Sequence, residues 1–324
     1  MRIPETVIND ITSRKTIKDI FFVACGGSLV DLYPGYYFID KESSTMHAHW
    51  LTAREIIVSS SKFLNKDALV IICTHSGNTQ ECIEAGELAV SRGASVIAMS
   101  HAPGSKAERN DFNTIIYEWN DDVNQENKPQ GIVLRILNEL MKKQEPDYTK
   151  YDDMLNGLVK ADAIVKNACK KVQNSTWLFA EKYANEPYLY IMGSGASYSQ
   201  AYGFAICSLQ EMQWQNCGYL HSGEYFHGPF ECTDGNTLYI LLKGTGAPRI
   251  LDERAEKFLK QYAGKYEVID AEKLGMNEIS DTVNEYFTPM LFYQMTVEYR
   301  TALQNKRLHS LDMRRYMGVV DYTY

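Results

Sequence analysis

Positive charge is in short supply: 33 Lys and Arg stand against 41 Asp and Glu, a formal net charge of −8 over 324 residues. A protein that grips a phosphate backbone needs clustered cations, so no nucleic-acid partner is expected. Long apolar runs are missing as well. None approaches the ~20 residues that cross a bilayer, and no N-terminal stretch resembles a signal peptide, so no membrane partner is expected. The seven cysteines (Cys25, Cys73, Cys82, Cys169, Cys207, Cys217, Cys232) are scattered and include no C-x-x-C pair. That speaks against a disulfide framework and for buried, reduced thiols. A cytoplasmic protein is the expectation.

What remains is an ordinary globular composition, 45% hydrophobic and 23% charged, long enough for two domains of roughly 150 residues. Apolar runs rich in β-formers occur at 20–25 (IFFVAC), 68–74 (ALVIICT), 94–100 (ASVIAMS) and 114–119 (TIIYEW). Helix-like spacing separates them, in VDLYPGYYFID, AREIIVSSSKFL and NTQECIEAGELAVSRG. Strands that are almost continuously apolar predict a parallel sheet covered on both faces. A polar stretch around 145 leads into amphipathic LNGLVKADAIVKNACKKV, which reads as a helical connector. The pattern then restarts at YLYIMGSGASYSQAYGFAICSLQ (188–210), with further strands expected at 236–242 and 266–270 and helices at 251–263 and 281–304. This is a weak internal repeat of strand, glycine-serine turn and helix. The expected fold class is α/β: two tandem domains, each a parallel sheet flanked by helices, at 15–146 and 174–324 with the connector at 147–173.

Two turns carry the first functional signal. CGGS (25–28) follows one strand and THSGNT (74–79) another. Such turns leave backbone N–H groups at a helix start, backed by the positive end of the helix dipole. Gly27, Ser28, Ser76, Gly77, Asn78 and Thr79 are the candidate phosphate-binding residues. Either turn alone reads as a helix cap; two at neighbouring strand ends favour a sugar phosphate. Neither is G-x-G-x-x-G, and the second lacks the Walker lysine, so a nucleotide is disfavoured.

The second signal lies in EMQW (211–214) and HSGEYFHGPFE (221–231). Glu211 sits among Leu209, Met212 and Trp214, a partly apolar setting in which a carboxylate serves as a general base. An ion pair is the structural alternative. His227 follows in a loop bounded by Gly223, Gly228 and Pro229, where a hydrogen-bonded turn histidine is the plain reading. His221, Glu224 and His227 recur every third residue, but a zinc-binding helix needs two histidines four apart, and glycine and proline disfavour a helix here. No metal is expected.

Taken together, CGGS, HSGNT, GSGASY, EMQW, HSGEYFHGPFE and RRYMGVVDY resemble the sugar-isomerase (SIS) domain family, over nearly the whole chain from residue 20. The likeness is greatest to fructosamine-6-phosphate deglycases acting on fructoselysine or fructose-asparagine 6-phosphates. The resemblance implies two tandem SIS domains and a phosphate cradle at Ser28, Ser76 and Thr79 with the backbone near Gly27 and Gly77. It implies Glu211 as catalytic glutamate and His227 as catalytic histidine, the latter supplied by the neighbouring subunit of a homodimer with shared active sites.

The isomerase half of glucosamine-6-phosphate synthase is a more distant likeness. Where it has a lysine three residues before its glutamate, this chain has Ser208, and its lysine-bearing tail is replaced by one ending DYTY. Amination chemistry is thereby disfavoured. The implied reaction releases an amino acid from its fructosamine 6-phosphate without a cofactor, giving glucose 6-phosphate. Aldose-ketose isomerisation of a sugar phosphate and phosphosugar sensing without turnover are the alternatives. In the tail, Arg314, Arg315, Tyr316 and Asp321 are candidate contacts for the amine moiety, or else a dimer-contact segment; His221 and Glu224 are expected to support the loop through hydrogen bonds or caps.

Overall fold

The computed structural model describes residues 3–59, 61–120 and 122–321. The chain divides into two compact units, Met1–Asp162 and Ala163–Tyr324.

The first unit holds a five-stranded, wholly parallel sheet in the order β2-β1-β3-β4-β5. Its strands are β1 (Asp19–Ala24), β2 (His47–Thr52), β3 (Ala68–Cys73), β4 (Ser95–Ser100) and β5 (Asn113–Ile116). All six residues of β1 and of β3 are buried, as expected of central strands covered on both faces. Phe21, Val23, Val70, Ile72, Val96 and Ala98 pack with Ala53 and Ile56 of α3 (Ala53–Val58) and with Cys82, Ala85 and Ala89 of α4 (Gln80–Ser91). Three further helices complete the unit's own elements: α1 (Pro4–Thr12), α2 (Gly26–Glu42) and α5 (Pro129–Gln144). The approach of α2 to α5 is close enough to require glycine. A Cβ at Gly35 would meet Leu137 at 2.7 Å, Val133 at 2.8 Å and Phe22 at 3.0 Å.

The second unit repeats the plan with four parallel strands in the order β7-β6-β8-β9. They are β6 (Leu189–Gly193), β7 (Cys217–His221), β8 (Leu238–Lys243) and β9 (Lys265–Asp270). Met192, Tyr225, Tyr239 and Leu241 form a core with Ala255 and Leu259 of α9 (Arg249–Tyr262). Helix α7 (Tyr198–Gly203) runs through a π-helical stretch, Phe204–Gln210, into the short α8 (Glu211–Gln213). The last helix is α10 (Thr288–Arg307).

The internal repeat extends to backbone angles. Val23 pairs with Ile72, and Met192 with Leu241. Three residues beyond Val23 and Met192, Gly26 and Gly195 have φ of +54° and +55°; five beyond Ile72 and Leu241, Gly77 and Gly246 have +66° and +71°. Positive φ at these four points is the left-handed turn that carries each strand into its helix.

Both expected sheets are present, with two additions. Strands β2 and β7 were not anticipated, because HAHWLT and CGYLH are edge strands, mostly half-exposed, and lack a continuous apolar run. Helix α3 stops at Val58, short of the spacing-based reading, and the final helix starts at Thr288 after a 3₁₀ turn, Asn284–Phe287. From Tyr151 onward the connector is helical, forming the first part of α6 (Tyr151–Tyr183), 33 residues long, in which buried Met154, Leu158, Ala161, Val165, Ala168 and Val172 recur at helical spacing. Thiol burial is narrower than expected: Cys73, Cys82 and Cys217 are buried, but Cys232 is exposed, and none of the seven is bridged.

Candidate functional site

Parallel strands run their carboxyl ends to one edge, and a ligand crevice opens where the strand order reverses. In the order β2-β1-β3-β4-β5 that reversal falls between β1 and β3. CGGS leaves β1 there and THSGNT leaves β3, so the topology makes neighbours of the two serine turns. The Cys73 thiol at the end of β3 lies against the Ser28 hydroxyl.

Neither α2 nor α4 has a side-chain cap at its N-terminus, so their first N–H groups point outward uncapped. Among the described residues, no atom lies within 4 Å of where a Cβ on Gly26 or Gly27 would stand; Gly27 is exposed and Ser28 half-buried. Ser76 is exposed and its Oγ accepts from the Asn78 N–H at 3.2 Å. The Asn78 side chain braces the turn, donating to Ser76 O at 2.9 Å and accepting from Lys106 N at 3.1 Å. Thr74 donates its hydroxyl to Thr79 Oγ1 at 2.9 Å, which leaves the Thr79 proton for another acceptor. Gly77 is required by its positive φ and because a Cβ there would run into Ser105.

Two features of this edge escaped the sequence reading. One is Asp31, a buried residue on α2, whose carboxylate takes a 3.0 Å hydrogen bond from Gln130. Burial pushes its pKa up to about 7, with the Gln130 bond opposing. It is a carboxyl that titrates near neutrality, on the helix that follows CGGS. The other is an aromatic cluster beside Ser76. His75 stacks on His101 at 5.0 Å, meets Trp119 edge-on at 5.1 Å and bonds the Tyr117 hydroxyl through Nδ1 at 3.0 Å. Burial and the neighbouring His101 lower the His75 pKa, favouring a neutral ring.

In the second unit, Glu211 opens α8 just past the π-helical stretch, a distortion that recurs at functional sites. Its side chain is half-buried and Oε1 accepts from Arg314 Nη2 at 2.7 Å. The ion-pair alternative for Glu211 is thus realised, with a partner 103 residues away. EMQW and RRYM, two separate motifs in the sequence, form one assembly. Trp214 ends α8 at φ 51°, a costly angle for a bulky residue, held by the His309 ring at 4.6 Å and the Arg315 guanidinium at 4.3 Å. Arg307 donates to Gln213 O at 2.7 Å, and Gln213 to His309 O at 3.1 Å. Tyr316 and Asp321 are exposed; Tyr322, Thr323 and Tyr324 of the DYTY ending lie outside the described residues. Ser208 is buried and accepts from Arg300 at 3.3 Å.

His227 stands exposed on a braced loop. Successive turn bonds run from Glu224 N to His221 O, His227 N to Glu224 O and Phe230 N to Tyr225 O, each 2.9 Å. Tyr225 is fully buried, and Phe226 and Phe230 both pack edge-on against Phe258 of α9. Gly228, at φ 134°, turns the chain directly after the histidine. The every-third-residue spacing of His221, Glu224 and His227 is the step of these turns. The His221 ring instead accepts from Gly223 N at 3.1 Å and faces Tyr198 at 5.2 Å. Among the described residues, no three His, Cys, Asp or Glu side chains are grouped to hold a metal, and no helix is long and apolar enough to cross a membrane.

The SIS domain profile matches residues 15–128. The chain is 37% identical to the fructosamine deglycase FrlB of Bacillus subtilis over 95% of its own length and 94% of that protein. The chain belongs to the SIS domain family. It is also 24% identical to the fructoselysine 6-phosphate deglycase of Escherichia coli over 95% of its length and 88% of that protein. A crystal structure from Salmonella typhimurium, described as that of a candidate phosphosugar isomerase, superposes with a TM-score of 0.94 at 36% identity, covering 98% of both chains. The C-terminal domain of glucosamine-fructose-6-phosphate aminotransferase from Francisella tularensis shares the fold, with a TM-score of 0.76 at 16% identity over 95% of this chain and 88% of that one.

Two expectations follow from this geometry. Because the folded pKa of Asp31 lies above its unfolded value, the native state binds the extra proton. Its stabilisation is complete below about pH 4 and is lost as pH rises through about 7. Asp31→Asn should therefore flatten the stability-pH curve between these limits and raise stability at pH 8 by on the order of 2–4 kcal/mol. Urea unfolding at pH 5 and pH 8 measures both. Separately, the exposed tail is held by a half-exposed ion pair and a cation–π contact, each worth about 1 kcal/mol or less. Arg314→Ala should speed chymotryptic cleavage at Tyr316 several-fold with the melting temperature nearly unchanged, as read by mass spectrometry beside a thermal scan.

Proposed function

We propose that this chain, an enzyme of the fructosamine deglycase kind, cleaves a fructosamine 6-phosphate, the Amadori adduct of an amino acid, to glucose 6-phosphate and the free amino acid. The observation that carries this reading is the similarity to a fructosamine deglycase over 95% of this chain and 94% of that protein, in a chain that carries Glu211 and His227.

The phosphate is held without a cation, by the uncapped N–H groups of α2 and α4 and the hydroxyls of Ser28, Ser76 and Thr79, in the manner of helix N-termini generally. A dianion bound there also explains why Asp31 is worth keeping neutral. His227, supplied by the neighbouring subunit of a homodimer, shuttles the proton that opens the sugar ring, a task suited to imidazole near neutral pH. Glu211 then takes a proton from C1. The electron pair moves to form the C1–C2 double bond of an enaminol, and a proton returned to C2 leaves an imine at C1. Water adds to that imine, the carbinolamine loses the amine, and C1 becomes the aldehyde of glucose 6-phosphate. One water is consumed and no cofactor takes part. Arg314 fixes the rotamer of Glu211, so the base meets C1 in one orientation. The unbridged cysteines fit a reducing compartment, and we place the enzyme in the cytoplasm.

Glu211→Gln should lower kcat by ~10²–10⁴-fold, the range of a single proton transfer, while leaving glucose 6-phosphate binding intact by calorimetry. Near-normal release of amino acid from fructoselysine 6-phosphate by that variant would refute the assignment. His227→Ala should be as severe on the cyclic substrate. Mixing the two inactive variants should restore part of the activity through hybrid dimers; no recovery after verified subunit exchange would exclude a shared site.

A further inference from the structure

The second unit has its own strand-order reversal, between β6 and β8, and hence its own crevice by the rule that places the first. The turns there occupy the same positions as the serine turns, as the paired positive-φ glycines establish. Their chemistry has been altered position by position. Ser197 corresponds to Ser28 but is 1% exposed and exchanges a 2.9 Å hydrogen bond with Thr288. Ala196 stands for exposed Gly27 and is 2% exposed. Pro248, with neither hydroxyl nor N–H, stands for Thr79.

What fills this edge is a side chain of the protein itself. Asp252, in the first turn of α9, is wholly buried. Its Oδ1 accepts from Ser194 at 2.8 Å, just past β6, and from Ser222 at 2.6 Å, just past β7. Its Oδ2 accepts from the backbone N–H of Gly244 at 2.9 Å, just past β8. One carboxylate thus collects donors from three adjacent strand ends at the mouth of the crevice. An unpaired buried carboxylate is prohibitively costly, and three donors aimed at it are the arrangement an anion site requires. Burial raises its pKa while those bonds oppose the rise. A donor is left over as well: Thr245, at the position of Ser76, is 3% exposed with a buried hydroxyl that has no partner among the described residues.

We infer that the second unit retains an oxyanion site whose ligand is the built-in carboxylate of Asp252, so that this edge is closed to phosphosugars unless that side chain is removed. The ligand class is a small oxyanion, phosphate or carboxylate. The inference does not depend on the reaction proposed above.

Asp252→Ala removes the anion and leaves the donors. Melting temperature is followed against sodium formate and sodium phosphate, with chloride at matched ionic strength as reference, for the wild type, Asp252→Ala and Asp252→Asn. Asp252→Ala should melt well below the wild type in chloride and recover several degrees with formate or phosphate, saturably. The wild type and Asp252→Asn, whose crevice remains filled, should respond no more than they do to chloride. Equal anion responses in all three proteins would overturn the inference, as would an Asp252→Ala protein indifferent to anions. If Asp252→Ala does not fold in chloride, it is refolded from urea in 0.1–1 M formate, about the range a weak carboxylate ligand needs. Recovery of folded protein in formate alone supports the built-in ligand, and failure in every anion rejects it.

Discussion

The reversal of strand order beside the first strand of each sheet is the constraint on which the rest depends. Where the strand order reverses, right-handed crossovers leave the two neighbouring strands over opposite faces, and a crevice opens at their carboxyl ends. Val23 and Met192 lie in the first strands, each hydrogen-bonded in register on both sides. Nothing in the sheet can fill the opening, since the next residues must turn outward into helices. The positive φ of Gly26, Gly77, Gly195 and Gly246 makes those turns tight enough for the helix N–H groups to face the crevice. The form of these edges is therefore set by topology before it is set by side chains.

Side chains decide what each edge does with that form, and three carboxyl groups give three solutions. Asp31 is buried with one donor, too few to hold a charge, so it keeps its proton up to about pH 7. Asp252 is buried with three donors and serves as the counter-ligand of its own edge. Glu211 stays half in solvent, paired to the one guanidinium that the tail brings to it. Burial raises the pKa of both Asp31 and Asp252, opposed by the single Gln130 bond in the first and by three donors in the second.

Much of this was legible in the chain. The central strands could be read because burial on both faces demands continuous apolar runs such as IFFVAC and ALVIIC. The edge strands HAHWLT and CGYLH could not, because a strand with one neighbour and mostly half-exposed residues leaves no period to detect. The two turns at the ends of β1 and β3 showed themselves by glycine and serine, a local feature. The pairing of Glu211 with Arg314 spans 103 residues, and Ser194, Ser222 and Gly244 reach Asp252 from 58, 30 and 8 residues away. No local pattern encodes such contacts. The loop at 221–231 was misleading in form and informative in content: its three-residue rhythm suggested ligand spacing but is the rhythm of consecutive turns.

The two units also show how a repeated fold can divide its labour. At the first edge the turns stay small and open, with Gly27 and Ser76 exposed and Ser28 half-buried. The second edge supplies its own anion and is buried at the corresponding Ala196, Ser197 and Thr245. Ser222, anchored to Asp252, is the residue at which the His227 loop departs, and Tyr225, three residues on, is buried against the same sheet. The built-in carboxylate thus fixes the root of the loop whose exposed tip carries His227. With that crevice closed from within, the Ser222 hydroxyl and the Gly244 N–H act as fasteners between Asp252 and the ends of β7 and β8.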